Sequence, residues 1–475
     1  MNRSIHQVTL IFKKILLSLK SRCDLACLAV VLPVIISFWH VNNIRSWQNP
    51  NRVIAWDVIN YYSYLPAKFI YKDITLKFTD RGARYPEVIF WYYCTENNQY
   101  VIKSSMGMSY MYAPFFFIAH ATVGLTDYNP SGFSPYYKYF LVIGGILYYF
   151  LGLIILRKIL LRYFNQLAVF LTIIAVALGT NLLYYSSTEV TMPHVYIFTL
   201  TNLFVYCTIR WYESPGILIT VVIGIVTGLI SLIRPVNITI IFFFIFWNIR
   251  SWHDIMSRVY LFKKYSHHLV LIGLMTFVIW IPQFHYWKTV TGHWIFYSYI
   301  DERFFFLNPQ ILNGLFSFRK GWFLYNPVMA FVLAGLPVLL KHRKGFFWAV
   351  LILFAFHVYI IYSWWCWWYG GSLGSRPMID IYGILSIPIA AFLQWALEQK
   401  KRVRVIILTL FLLLGLKGTH FNIQYYYGAV HWDGMTRLAY MKSFFRTLLY
   451  EELGEIIKTP DYKRAMEGKE DYFLN

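Results

Sequence analysis

The sequence predicts an all-α polytopic membrane protein: a bundle of about 11 transmembrane helices with juxtamembrane helices on its outer face. Three observations lead there. The 475 residues are 58% hydrophobic and only 14% charged, whereas a soluble domain carries about 25% charged residues, so there is more apolar side chain than an aqueous core would hide. The apolar residues fall in runs near the roughly 20 residues that carry a helix across a bilayer. The 43 Lys and Arg residues, against 22 Asp and Glu, gather in short clusters between those runs, as cytoplasmic loops do. They form no patch interleaved with aromatics, which argues against nucleic acid and leaves membrane lipids, anionic headgroups first, as their partner.

The clusters are Lys13, Lys14, Lys20 and Arg22; Arg157, Lys158 and Arg162; Arg250, Arg258, Lys263 and Lys264; Lys341, Arg343 and Lys344; and Lys400, Lys401, Arg402 and Arg404. Placing them inside sets the direction of every span. The first apolar run has no small-residue cleavage site after it, so it reads as an uncleaved span at about 25–42. A long outer region, 43–135, follows. Its apolar stretch 108–125 contains Pro114, and a crossing there would put Arg157, Lys158 and Arg162 outside, so it is assigned to a helix lying on the outer face. Spans at about 136–156, 166–184, 194–210, 216–233, 236–249, 268–285, 326–340, 346–363, 379–397 and 405–421 then alternate without conflict. Residues 1–421 are thus one transmembrane module with a second long outer loop at 286–325. Residues 422–475 form an outer tail, with an amphipathic interfacial helix expected over 440–455.

Cys23, Cys27, Cys94, Cys207 and Cys366 have neither metal-ligand spacing nor the density of a disulfide framework and read as buried or interfacial thiols. Four carboxylates lie near the inner face (Asp24, Glu213, Asp254, Glu398) and eight in the tail. The other ten, Asp57, Asp73, Asp80, Glu87, Glu96, Asp127, Glu189, Asp301, Glu302 and Asp380, are assigned to outer loops or outer helix ends. None falls mid-span, where an ion-coupled transporter needs ionisable groups. Acids collected on one face suit an enzyme working at the outer surface. Trp and Tyr crowd the same segments, including Trp91 and the run 364–369; an interfacial belt is the first reading, ring stacking on a sugar or isoprenoid the second.

Asp57 follows the first span closely, within Ala55-Trp56-Asp57-Val58-Ile59-Asn60-Tyr61-Tyr62. A carboxylate at the hydrocarbon boundary is partly desolvated and more basic, which suits a general base; a helix cap or salt-bridge partner is the plainer alternative. Tyr61 and Tyr62 are beside it to stack on substrate. Lys103 places a cation before the outer-face helix. Glu189 lies in the turn after the third span. Arg234, between two apolar helices, requires an anion, and a lipid phosphate would serve. The loop 370–380 joins glycines that admit a close ligand to Arg376 and Asp380, which alternatively pair with each other. His194, at a helix start, reads as packed before it reads as a ligand. No metal motif stands in a compelling position, so no metal residue is assigned, although a divalent cation is compatible with the site.

The order of these pieces resembles a family. The aspartate of the first outer loop, then KSSMGMSYMYAPFFFIAH, LRKILLRYF, YYSSTEVTMPHVYIF, GLISLIRPVN and GSRPMIDIYGILSIPIA are similar to membrane glycosyltransferases of the GT-C superfamily, nearest to the family-39-like enzymes related to protein O-mannosyltransferases and the lipid A aminoarabinose transferase. The resemblance runs over about 25–400 through short motifs. It implies a GT-C-like bundle in a bacterial inner membrane, a periplasmic active site and a polyprenyl-phosphate-linked sugar donor. It implies Asp57 as the catalytic acid residue, although Val58 stands where many relatives have a second acid. It likewise implies Lys103 as the phosphate-contacting lysine, Glu189 as a second acid and Arg376 as the basic residue before the late helix.

Elementary chemistry agrees with that inventory. Transfer from a lipid-phosphate sugar needs one base for the acceptor proton and cations for the departing phosphate, which leaves without a separate acid. The acceptor, whether lipid, glycan or protein, is open. Two other readings compete. A lipid-linked glycan polymerase or ligase would depend on Arg303 and Arg319 of the later loop and spare Asp57. A lipid-linked glycan flippase would need a polar path through the bundle.

Overall fold

The computed structural model describes residues 25–80, 92–95 and 99–469. The basic cluster at 13–22, Cys23, Asp24, Glu87, Trp91, Glu96, Glu470 and Asp471 lie outside them. Within the described residues the chain is all-α except for one small hairpin, β1 (Tyr92–Cys94) and β2 (Tyr100–Ile102), paired antiparallel with Tyr93 opposite Val101.

Among the described residues six helical segments are long and apolar enough to cross a membrane: Leu25–Gln48, Pro135–Leu161, Ser266–Thr291, Lys344–Tyr362, Arg376–Leu397 and Lys401–Tyr426. Each covers an expected span within a few residues. Four shorter apolar helices, Gln166–Leu178, Ile217–Ile233, Pro235–Phe246 and Pro327–His342, fall on four more. The reason for the shortness is local: Gly179 ends the first, Arg234 and Pro235 separate the second from the third, and Pro327 opens the fourth.

In chain order the helices used below are α1 (Leu25–Ile44), α2 (Asp57–Tyr62), α3 (Tyr64–Phe69), α4 (Gly107–Thr122), α5 (Pro135–Leu161), α6 (Gln166–Leu178), α7 (Leu182–Ser187), α8 (Pro193–Glu213), α9 (Ile217–Ile233), α10 (Ile241–Phe246), α11 (Trp252–Lys264), α12 (Ser266–Thr291), α13 (Ile311–Phe316), α14 (Trp322–Tyr325), α15 (Ala330–His342), α16 (Lys344–Tyr362), α17 (Tyr382–Leu397), α18 (Lys401–Tyr426), α19 (Arg437–Ser443), α20 (Leu453–Ile456) and α21 (Tyr462–Met466). One large core runs through the bundle beside two smaller clusters, with α17 buried nearly all round and α12 and α18 mostly open to their surroundings. Helices approach closely at small residues. On α15, a Cβ at Gly335 would lie 2.1 Å from the carbonyl oxygen of Pro388 on α17, so no larger residue fits there without moving a backbone.

The loops sort by bundle end. Arg162 pairs with Glu213 at 2.5 Å, Arg343 donates to the Tyr163 carbonyl, the Asn165 amide donates to Gln394, and the Asn248 amide to the Gly345 carbonyl. The basic turns therefore share one end. Asp57, Glu189, Arg234 and Arg376 lie at the other.

Two expectations are corrected. The segment 440–455 is not one helix. α19 stops at Ser443 because α18 takes the carbonyls that a continuing helix would use: Gln424 donates to the Ser443 and Arg446 carbonyls, and Lys417 to that of Phe444. The aromatic run 364–369 is not an outward belt either. Trp367 and Trp368 are fully buried, and the chain turns directly after them through left-handed backbone at Tyr369 (φ 59°) and Gly370 (φ 60°).

Candidate functional site

The site is built where six stretches of chain converge at the end of the bundle away from the basic turns. Asp57 is the first residue of α2, and the chain enters it through Trp56 in a left-handed conformation, φ 51°. Such backbone costs about 1–3 kcal/mol in a residue with a side chain and persists only where its surroundings impose it. The bend leaves the Asp57 side chain half-exposed, with Oδ2 accepting from Arg376 Nη2 at 2.9 Å. Arg376 itself is mostly buried. It opens the short 3₁₀ helix Arg376–Ile381 directly after the glycine-rich loop.

Asp380, one turn further on, is fully buried. It accepts from Arg234 Nη1 at 3.1 Å and Asn237 Nδ2 at 2.8 Å, and shares a hydrogen bond of 2.9 Å with His194 Nδ1. The sequence allowed a mutual Arg376–Asp380 pair. The structure crosses the pairing instead, because 3₁₀ geometry turns Arg376 toward α2 and Asp380 toward the start of α8 and the α9–α10 break. It also supplies the anion that Arg234 requires: a protein carboxylate, where a lipid phosphate had been expected. His194 is buried against that carboxylate, as its packed reading had it. A buried charge is tolerable only when paired and hydrogen-bonded, and Asp380 has three partners.

Glu189 is half-buried in the turn between α7 and α8, where the Tyr184 hydroxyl donates to it at 3.4 Å. Burial pushes its carboxyl pKa up; Arg376 opposes the rise, and the Asp57 charge adds to it. Asp57, Glu189 and Arg376 thus form one electrostatic unit, with the guanidinium serving two acids. Tyr61 is buried beside them, and burial first, then the Asp57 charge, pushes its phenol up to about 12. Tyr62 does not join them. One residue on, a helix has turned by about 100°, and the Tyr62 hydroxyl donates to the Gly132 carbonyl at 2.5 Å among Tyr112, Phe116 and Phe133. Its expected contact with substrate is replaced by a place in the core.

Lys103 stands on the far side, leaving β2, and its ammonium is held by Glu302 and lies 5.3 Å from the centroid of the Tyr299 ring. Gly107, four residues later, seats α4 directly on the backbone of Ile233, just before Arg234; a Cβ there would meet the Ile233 nitrogen at 2.4 Å. Two contributors were given no role by the sequence. Tyr299 carries no motif, and Asn237 closes the GLISLIRPVN segment three residues after Arg234, the spacing that lets both reach one carboxylate in a tight turn. Lys320, from the later outer loop, is buried and donates to the carbonyls of Ser372 and Trp432. It ties the glycine-rich loop to the tail, and burial pulls its pKa down to about 7.

The arrangement offers one accessible carboxylate on a guanidinium, a second acid of raised pKa, and two further cations that each already hold an acid, Lys103 on Glu302 and Arg234 on Asp380. Among the described residues no three His, Cys, Asp or Glu side chains gather to hold a metal ion. A comparison of the chain with known protein families and with characterised proteins matched it to none of them.

Proposed function

We propose that the protein is an inverting glycosyltransferase that moves a sugar from a polyprenyl-phosphate donor to an acceptor at the periplasmic face of a bacterial inner membrane. The reading includes a GT-C-like bundle of 11 spans, in which α8 and the shorter apolar helices complete the six long ones. The observation that carries it is the Asp57–Arg376 pair at 2.9 Å, half-open at one end of an apolar bundle, with Glu189, Lys103 and Arg234 around it. Asp57 takes the proton of the acceptor hydroxyl or amine as the new glycosidic bond forms. The C1–O bond to phosphate breaks on the opposite face of the sugar, and Arg376 and Lys103 stabilise the phosphate that departs as an anion. Asp380, His194 and Asn237 hold Arg234 in place.

The ligase alternative has less to stand on. It relies on Arg303, which is exposed beside the Phe305 ring, and on Arg319, which is buried with its guanidinium 5.6 Å from the Trp368 ring centroid, a packing position. The test is to incubate the purified protein in lipid nanodiscs with a panel of polyprenyl-phosphate sugars and acceptors, and to measure both release of lipid phosphate and the anomeric configuration of the product. Release with an inverted product is expected. No release from any donor removes the transferase reading, and a retained configuration removes the single-base mechanism.

A further inference from the structure

At the end of the bundle remote from the site, α11 crosses between α10 and α12 instead of continuing either. Ser251 and Asp254 close a capping box at its start, so its thirteen residues form a well-delimited helix. One side packs inward: Arg258 lies with its guanidinium 4.1 Å from the Tyr212 ring centroid and donates to the Ile245 and Trp247 carbonyls, and the Phe262 ring stacks on Phe244.

The opposite side is uncovered. Trp252, Met256, Val259 and Tyr260, spaced by four, three and one, share one face, and each is 60% exposed or more. Lys263 stands in the middle of that stripe and Lys264 at its margin. Both are exposed, and among the described residues neither meets a carboxylate. From Tyr265 the chain passes into α12, whose Val270, Leu274, Phe277 and Ile281 are exposed along one line, the surface of a helix that faces hydrocarbon. The apolar stripe of α11 continues that lipid-facing surface to the bundle end. An apolar face that ends in lysines, one on its axis and one at its margin, with stems in the acyl region and ammonium groups among phosphates, suits a helix lying in the headgroup layer.

We infer that α11 is an in-plane interfacial helix that binds anionic phospholipid in the leaflet opposite the candidate site, with Trp252, Met256, Val259 and Tyr260 inserted below the headgroups and Lys263 and Lys264 paired with lipid phosphates. Along α8 the eighteen residues from His194 to Tyr212 set this surface roughly 27 Å from Asp380 and its partners. It is therefore a second surface, and it does not depend on the transferase reading.

The test uses the full chain in nanodiscs of phosphatidylcholine alone and of phosphatidylcholine mixed with phosphatidylglycerol, reading hydrogen exchange over 252–264 and the phosphatidylglycerol retained in native mass spectra. In the wild type, exchange is expected to be slower in the mixed discs, by about fivefold for each lysine engaged. The pair Lys263→Gln and Lys264→Gln should erase that difference while keeping the protection seen in phosphatidylcholine. The pair Met256→Ser and Val259→Ser should lose protection in both lipids. Equal exchange of the wild type in the two discs overturns the inference, as does a lipid dependence that survives removal of both lysines. Protection that appears only in discs holding two copies of the chain also overturns it, by assigning the stripe to a dimer contact.

Discussion

Among the described residues two aspartates pair with arginine, and exposure separates them. Asp380 is fully buried and neutralises Arg234 while bonding His194 and Asn237. Removing its charge leaves a buried guanidinium unpaired, which costs about 3–5 kcal/mol. Asp380→Asn should therefore lower the unfolding temperature and the yield of monodisperse protein, measured by thermal unfolding in detergent; an unchanged melting curve contradicts the pairing. Glu189 gives the pH-dependent case. Burial raises its pKa above the ordinary 4.5, so the folded state holds a proton that the unfolded state releases. Stability then falls as pH rises from about 4.5 through the raised value, because the folded state binds more protons over that window. Thermal unfolding from pH 4 to 7 should show this fall in the wild type and its loss in Glu189→Gln. Both residues were legible in the sequence as outer acids with few neighbours of like charge. Their partners were not, since the choice between Asp57 and Asp380 for Arg376 depends on how a six-residue 3₁₀ helix turns, and no pattern in Gly374-Ser375-Arg376-Pro377 states that.

Among the elements, hydropathy located the helices because an apolar run of membrane length has few other uses, and the six long segments start and stop within a few residues of expectation. Packing between helices was not legible. Gly335 looks unremarkable inside Leu333-Ala334-Gly335-Leu336-Pro337, yet it is where α15 touches the backbone of α17. Gly335→Ala should destabilise the bundle by about 1–3 kcal/mol through overpacking, seen as a lower unfolding temperature, and wild-type stability would refute the close approach. The tail failed as a sequence reading for a related reason. Periodicity over 440–455 suits a helix, but Lys417 and Gln424 of α18 bind the carbonyls that would continue it, and a contact across some twenty residues leaves no local trace. The aromatic run 364–369 shows the same limit. Its composition fits a membrane belt equally well, and nothing in it states that Trp367 and Trp368 are buried in the bundle.

At the scale of the whole molecule, the apolar bundle holds its charge at two ends with different character. One end gathers the basic turns and the uncovered stripe of α11. The other gathers carboxylates and arginines into pairs, of which, among the described residues, Asp57–Arg376 couples a half-exposed acid to a mostly buried cation. Under the proposed function, that asymmetry is what a lipid-linked substrate would meet on arriving through the surrounding bilayer: a base open to an acceptor, and cations near an anionic leaving group. The account rests on the carboxylate of Asp57 more than on any other atom. Its most direct test is the rate of sugar transfer from polyprenyl phosphate by Asp57→Asn in nanodiscs, measured beside its unfolding temperature. The account predicts a loss of at least about a hundredfold in transfer by protein that is still folded at the assay temperature, its melting temperature lowered by the loss of the Arg376 partner; turnover at the wild-type rate would contradict it.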